Sequence, residues 1–479
     1  MKCYDDVLIG SGSGKKVIEA SLEKDPGAEV AVIEKDRRGG ICLNRGCRPT
    51  KILLSSADAV RAVERASSFG VDASIDRKDS SAVMERMRAN QKEARSEINR
   101  EFFARPNVHY YQGTARFTGP RTVKVNGQTE ISGGRFFLCA GSEPVVPPID
   151  GLDETPYLTS KEALALKELP DSLAVIGGGY IAAEMGYFFA SMDTEVTIFG
   201  RNEQFVPSEE PEISYVVGRD QEKVLDLHRG YEVTQTEELE DGLLEIVARN
   251  GETGEVKSVR AGEVLVATGR GPINDLMNPE KAGVELDGRG WIEVDSHLRT
   301  AQDHIWAMGD CTGGYLFKHV SDYEADIVVE NAVLGRDVEA DYRAVPHAIF
   351  TDPEVAAVGL GEAEAAEKYG RENIVIGFSR FDETVKGQAI GARNGFVKVI
   401  STRGGEVLGG HIVGANASIL IQEIVLAMEA DRGVDDLAFS IHVHPALSKV
   451  IKKACRERLS PEEYHHALDG FLPGFDSSV

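Results

Sequence analysis

Two strand–glycine-turn–helix patterns, one near residue 10 and one near residue 177, predict an α/β protein with two Rossmann-like nucleotide-binding domains. A change of character after Val345 adds a third, α+β domain at the carboxyl end. A cysteine pair, Cys42 and Cys47, follows the first pattern among glycines and marks where the chemistry lies.

The first pattern is YDDVLIGSGSG, residues 4–14, an apolar strand that runs into a glycine-rich turn and then a helix over about 15–23. Gly10 and Gly12 give the tight turn and the close backbone approach that a pyrophosphate needs. Gly14 sits just before the third position, where a small residue usually lets helix and strand pack; that position is Lys15, a departure from the pattern. The next strand, EVAVIE over 29–34, ends in Glu34, where an acid would bind an adenosine ribose hydroxyl.

The segment GGICLNRGCRPTK, residues 39–51, follows directly. On a regular helix a five-residue offset separates Cα atoms by roughly 8–9 Å, more than the ~7 Å a disulfide spans. A pair able to oxidise therefore requires a bend between Cys42 and Cys47. Gly46 permits one, and Pro49 restricts the chain just beyond.

The second pattern, LAVIGGGYIAAE over 173–184, keeps all three small residues: Gly177, Gly179 and Ala182. Its following strand, EVTIF, ends at Gly200 and Arg201. A carboxylate there would repel a 2′-phosphate, whereas a guanidinium pairs with it bidentately. The acidic stretch 232–256 reads as an antiparallel insertion, residues 407–414 as a strand and 420–429 as an apolar helix. Composition agrees with a multidomain enzyme. The 479 residues are 42% hydrophobic, with no apolar run long enough to cross a membrane. A formal charge of −25 argues against nucleic acid or an anionic membrane as partner. Six scattered cysteines do not form a secreted disulfide framework, no metal site is expected, and an opening that enters a strand directly implies a cytoplasmic location.

Four further motifs complete the pattern: the strand-to-glycine crossings FFLCAGSEP (136–144) and VLVATGRGP (264–272), IWAMGD (305–310), VPHAIFTDPEVAAVGL (345–360) and IHVHPALSK (441–449), the crossings counting as one motif. Together with the cysteine pair they resemble the flavoprotein disulfide reductases, the family of glutathione-, mycothione- and dihydrolipoamide-handling enzymes. The resemblance implies an FAD domain at 1–150 and 271–335, an NAD(P)H domain inserted at 151–270, and an α+β dimerisation domain at 340–479, with 455–479 an unplaced extension. It implies that Cys42 and Cys47 form the redox disulfide, Cys47 nearer the flavin and Cys42 exchanging with substrate. Lys51 and Glu184 would lie close to the flavin, Asp310 would accept a bond from the ribityl chain, and Tyr180 would gate the nicotinamide face. Gly40 and Gly269 complete the cofactor-binding set, while Cys311 only packs.

His444 would be the acid–base group, supplied to the disulfide of a partner subunit in a homodimer. In the family a glutamate five residues on holds this histidine; here that residue is Lys449, which cannot accept an imidazole N–H, so another carboxylate such as Glu423 would take over. Members that use NADH place an acid where this chain has Gly200, so Gly200 and Arg201 favour NADPH, with NADH possible. The activity implied is NADPH-dependent reduction of a low-molecular-weight disulfide. Dihydrolipoamide dehydrogenase acting with NAD is the alternative, and a non-catalytic flavoprotein subunit the remote one. CLNRGC with Arg45, GSGSG and HPAL resemble mycothione-type reductases more than lipoamide ones.

Overall fold

A computed structural model describes residues 1–475. The first sheet grows from the apolar strand Lys2–Ile9, which pairs in parallel with Val30–Glu34 on one side and Thr129–Leu138 on the other. Val108–Gln112 extends it in parallel beyond Val30–Glu34, and the antiparallel strands Thr122–Val125 and Ala115–Gly119 extend the other edge. Ile305–Ala307, from far along the chain, pairs in parallel with Thr129–Leu138. The chain thus leaves this sheet and returns to it. Every residue of Val30–Glu34 is buried, as expected of a parallel strand covered on both faces.

The second sheet is parallel throughout, in the order Asp226–Arg229, Glu195–Gly200, Ser172–Ile176, Glu263–Val266. The helix Tyr180–Ser191 covers it and buries Phe188 and Phe189 completely; burying such a ring is worth roughly 1.5–3 kcal/mol. The expected antiparallel insertion is a three-stranded sheet, Tyr231–Glu238, Leu244–Asn250 and Val256–Ala261. Two short antiparallel strands, Ser142–Pro144 and Arg270–Pro272, tie the entry and exit crossings together.

The third unit is a six-stranded antiparallel sheet in the order Pro346–Ile349, Val355–Gly359, Val407–Val413, Phe396–Thr402, Ile374–Arg380, Arg458–Leu459. The helix Ala417–Glu429 packs on it and starts three residues earlier than the apolar run suggests. The extension beyond Cys455 supplies the edge strand Arg458–Leu459 and then the helix Pro461–Phe471, opened by a capping box between Ser460 and Glu463. Its last four residues, 476–479, lie outside the described residues.

That helix helps to fasten the third unit to the second. Lys398, whose side chain is 1% exposed, donates to Glu212 at 2.7 Å, to Glu362 at 2.9 Å and to Glu210. Tyr464, fully buried, donates to the same Glu212 oxygen at 2.5 Å. The ammonium holds Glu212 below the usual carboxylate range against the cost of burial. Removing one partner of a buried ion pair costs about 3–5 kcal/mol, because the other charges stay buried without compensation. Lys398→Met should lose about that much stability and Lys398→Arg distinctly less. Denaturant titration of both variants checks this, and equal losses would assign the effect to packing rather than charge.

Candidate active site

The first glycine turn is as tight as its sequence demands. Gly10 has φ +95°, and a Cβ there would lie 2.0 Å from the Cys139 carbonyl oxygen. Gly14 leaves no room either, since its Cβ would come within 2.6 Å of Leu8 Cδ1. Gly14 is therefore the residue that lets helix Lys15–Lys24 approach the strand. Lys15 does not obstruct that contact: its side chain is 36% exposed and reaches Glu19 at 3.5 Å. Glu34, at the strand end, accepts from Ser11 N at 3.0 Å and Ser11 Oγ at 2.8 Å, which holds the carboxylate beside the turn.

Gly12 and Gly40 meet backbone to backbone, a Cβ on Gly40 falling 2.8 Å from Gly12 Cα. From that contact the short helix Gly40–Arg45 carries Cys42, and the long helix Cys47–Glu64 begins at the second cysteine. Gly46 is the break between them. A Cβ there would sit 3.2 Å from Cys42 Cα and from the Ile41 oxygen, so a side chain at this bend would need its neighbours to give by a few tenths of an ångström. The bend brings the two thiols together, and the Cys47 S–H donates to Cys42. That bond lowers the Cys42 thiol to about 7, helped by the Lys318 ammonium and the Arg48 N–H against the cost of burial. The same bond pushes Cys47 up strongly.

One turn beyond Cys47, Lys51 Nζ lies 2.7 and 2.6 Å from the two carboxylate oxygens of Glu184. Glu184 is buried on helix Tyr180–Ser191 and also accepts from Phe350 N at 3.0 Å. Lys51 Nζ stands 4.5 Å from the centre of the Phe350 ring. All three units of the fold meet at this one carboxylate. Asp310 accepts from Ser142 Oγ at 2.6 Å, and Arg270 donates to that hydroxyl at 2.8 Å while lying 3.9 Å from Asp310 itself. Cys311 is buried, its thiol near the Met308 and Leu138 carbonyls.

These residues share one cleft of about 1750 Å³, with Glu34 and Gly12, the cysteine pair, Lys51 with Glu184, Tyr180 and Asp310 along its wall. Its extent, the glycine cradle at Gly10–Gly14 and the acid at Glu34 fit a bound FAD. Other site residues predicted from sequence lie outside this wall. Gly177 has φ +127° and a Cβ would lie 2.3 Å from the Ala267 oxygen, Gly179 opens to free space, and Ala182 is buried, which leaves the second turn clear for a pyrophosphate. Arg201 is exposed just past the strand Glu195–Gly200. Gly269, at φ +111°, accepts from Val145 N at 3.0 Å in the two-stranded link. Sequence reasoning missed Ser142, Arg270, Lys318 and Phe350. The first two lie inside the recognised crossings, but nothing local announces their pairing with Asp310.

His444 is absent from the cleft wall and exposed elsewhere on the third unit. Lys449 Nζ lies 2.9 Å from its Nδ1. The expectation that Glu423 would hold His444 is corrected: Glu423 lies 2.7 Å from Nε2 of the other histidine, His442, whose side chain is 6% exposed. Around this pair Phe439, Ile441 and Val443 are 75%, 100% and 76% exposed, and Ile419 and Leu426 stand out from the adjoining helix. So large an apolar patch beside a polar motif is the mark of an interaction surface.

Residues 4–330 match the pyridine nucleotide-disulphide oxidoreductase model, and 345–455 match the dimerisation domain of the same family. A dihydrolipoyl dehydrogenase of Synechocystis is 34% identical over 94% of this chain and 98% of its own length. A mycothione reductase of Mycobacterium tuberculosis is 32% identical over 95% of this chain and 99% of its own. The solved structure of the HOCl-induced flavoprotein disulfide reductase RclA from Escherichia coli, as its Cu(II) complex, superposes with a TM-score of 0.84 at 28% identity, covering 95% of this chain and 99% of that one. With matches over nearly its whole length, the chain belongs to the pyridine nucleotide-disulphide oxidoreductases, a family of flavoprotein enzymes.

Proposed function

We propose that the protein is a homodimeric, FAD-containing NADPH:disulfide oxidoreductase that reduces a low-molecular-weight disulfide through Cys42 and Cys47, with His444 of the partner subunit as acid–base group. The feature that carries this reading is the cysteine pair brought together in the wall of the cleft beside Lys51 and Glu184. FAD would be held by the Gly10–Gly14 turn, Gly40, Glu34 and Asp310, and when bound supplies the two-electron link between nicotinamide and cysteines. The units then correspond to an FAD domain at 1–150 and 271–335, a nucleotide domain at 151–270 and a dimer-forming domain from 340.

The Cys42 thiolate attacks one sulfur of the substrate, forming a mixed disulfide and expelling the first thiolate. Lys449 donates into Nδ1 of His444, so the ring keeps its N–H on Nε2 and can relay a proton to the departing thiolate as Nδ1 takes one from the Lys449 ammonium. Cys47 then gives up its proton and attacks Cys42 Sγ, which expels the second thiolate and closes the Cys42–Cys47 disulfide. NADPH returns the two electrons, so one disulfide and one proton become two thiols and NADP⁺. Lys51, fixed by Glu184, keeps a positive charge beside the reacting pair.

A dihydrolipoamide dehydrogenase using NAD is the second reading, favoured by the Synechocystis relative. Against it stands Gly200, where an acid would mark NAD use. A Cβ at Gly200 meets only ordinary contact with Gly178 Cα at 3.4 Å, so the backbone itself would accept an acidic side chain. Arg201→Ala should raise KM for NADPH about 10- to 150-fold, the worth of one charge-assisted bond, and barely change KM for NADH. Steady-state kinetics with both coenzymes decide, and a wild type that prefers NADH moves the lipoamide reading ahead.

Alkylation of the reduced enzyme by iodoacetamide should modify Cys42 first, with a rate that climbs as pH rises through about 7 and then levels off. Cys47→Ala removes the S–H donor and should move that midpoint upward. Mass mapping across pH reads both, and an unmoved midpoint would mean that Cys47 does not activate Cys42.

The dimer follows from the separation of His444 and the cleft. Ile441→Asp should yield monomers by light scattering and abolish disulfide reduction. Mixed Cys42→Ser and His444→Ala chains should recover part of the activity through heterodimers holding one sound site. A fully active monomer contradicts the shared site.

A further inference from the structure

The helix Lys449–Arg456 places all its charge on one side. Lys449, Lys452, Lys453 and Arg456 follow the i, i+3, i+4, i+7 spacing of one helical face, while Val450, Ile451, Ala454 and Cys455 are buried behind them. No acid interrupts the series. Like charges at that spacing repel one another on a helix, so the arrangement costs stability unless something anionic faces it.

Lys386, from the short helix Val385–Ala389, joins this face to enclose a hollow of about 240 Å³ beside His444. Five cations and one carboxylate, Glu383, line it. Among the described residues, only Lys453 of these five cations forms an ion pair, with that same Glu383 at 3.2 Å. Lys452 turns to the Ser440 carbonyl, Arg456 Nε to the Ala438 carbonyl at 3.0 Å, and Lys449 to His444. The chain as a whole carries 78 acidic residues against 53 basic ones. A locally cationic hollow therefore runs against the charge of the rest of the molecule, and it surrounds the imidazole assigned to the leaving thiol.

We propose that this cationic face seats the carboxylates of the substrate, and that the disulfide reduced by this enzyme is a small polyanionic one rather than a neutral amide or a diamine. The proposal rests on the reading of Cys42, Cys47 and His444 given under Proposed function. Carboxylates placed here would pair with ammonium groups that have no acidic partner, and would orient the disulfide with its leaving sulfur beside His444 Nε2. A neutral disulfide would leave those ammonium groups facing one another, and a cationic one would be repelled. A nucleic acid is disfavoured because the hollow is small and the surrounding chain is strongly acidic.

The test measures kcat/KM at saturating NADPH and about 0.1 M ionic strength for four probes: the disulfide of γ-glutamylcysteine, glutathione disulfide, lipoamide and cystamine. The two anionic disulfides should exceed lipoamide and cystamine by tenfold or more, and their advantage should shrink as KCl is added. Lys386→Glu should lower kcat/KM for the anionic pair about tenfold or more, chiefly through KM, while Lys386→Arg should retain it. Lipoamide or cystamine turned over as well as the anionic disulfides, or indifference to Lys386→Glu, overturns the proposal. Thiol titration after NADPH separates its failure from that of the underlying reading. If the cysteine pair is reduced but charge confers no preference, only the substrate class is wrong. If NADPH does not reduce the pair, the function itself is wrong, and this proposal falls with it.

Discussion

The site depends on one backbone constraint, the reversal at Gly46. Without it, Cys42 and Cys47 would lie on different sides of a continuous helix and could neither share a proton nor bond. A Cβ at Gly46 would press on Cys42 Cα and on the Ile41 oxygen, each at 3.2 Å. A side chain there would ask Cys42, whose thiol the bend positions, to give by a few tenths of an ångström. The long helix that starts at Cys47 then fixes the second cysteine rigidly, because Leu53, Leu54 and Ala57 on its inner face are buried. The break in the helix is confined to one residue, and it creates the proximity of the two thiols.

Charge does two different jobs at two depths. Deep in the molecule, Lys398 neutralises carboxylates contributed by the second and third units, and Glu184 gathers Lys51 and the Phe350 amide where all three units converge. Such buried pairs hold relative positions, since a displacement of either unit would strand a charge away from water. At the surface around His444 the cations have almost no acidic partners, so their field is available to a ligand instead.

Much of the fold was legible because its signals are local. Each glycine fingerprint sits between a strand and a helix within about a dozen residues, and the bend at Gly46 follows from helix geometry once the two cysteines are taken to pair. The return of Ile305–Ala307 to the first sheet was also legible, through a short apolar strand ending in Gly309 and Asp310. What stayed hidden was long-range. The tail beyond Cys455 has no motif of its own; its helix is secured by Tyr464 meeting Glu212 across 252 residues of sequence. Lys15 looked like a defect only because the fingerprint was read by position, while the steric requirement falls on Gly14. Glu423 was a reasonable partner for a histidine, but two histidines lie two residues apart, and only packing decides that it faces His442.

Lys449 links the acid–base chemistry to the choice of substrate. A glutamate at that position would accept the Nδ1 proton and leave Nε2 bare, ready to take a proton. An ammonium there does the reverse: it donates to Nδ1 and leaves the proton on Nε2. The ring can then hand its Nε2 proton to a departing thiolate only as the ammonium gives one to Nδ1, so Lys449 and His444 act as a single proton relay. The same substitution replaces a negative charge by a positive one at the mouth of a hollow already lined by lysines. One residue thus ties the proton path at His444 to the positive charge of the hollow beside it.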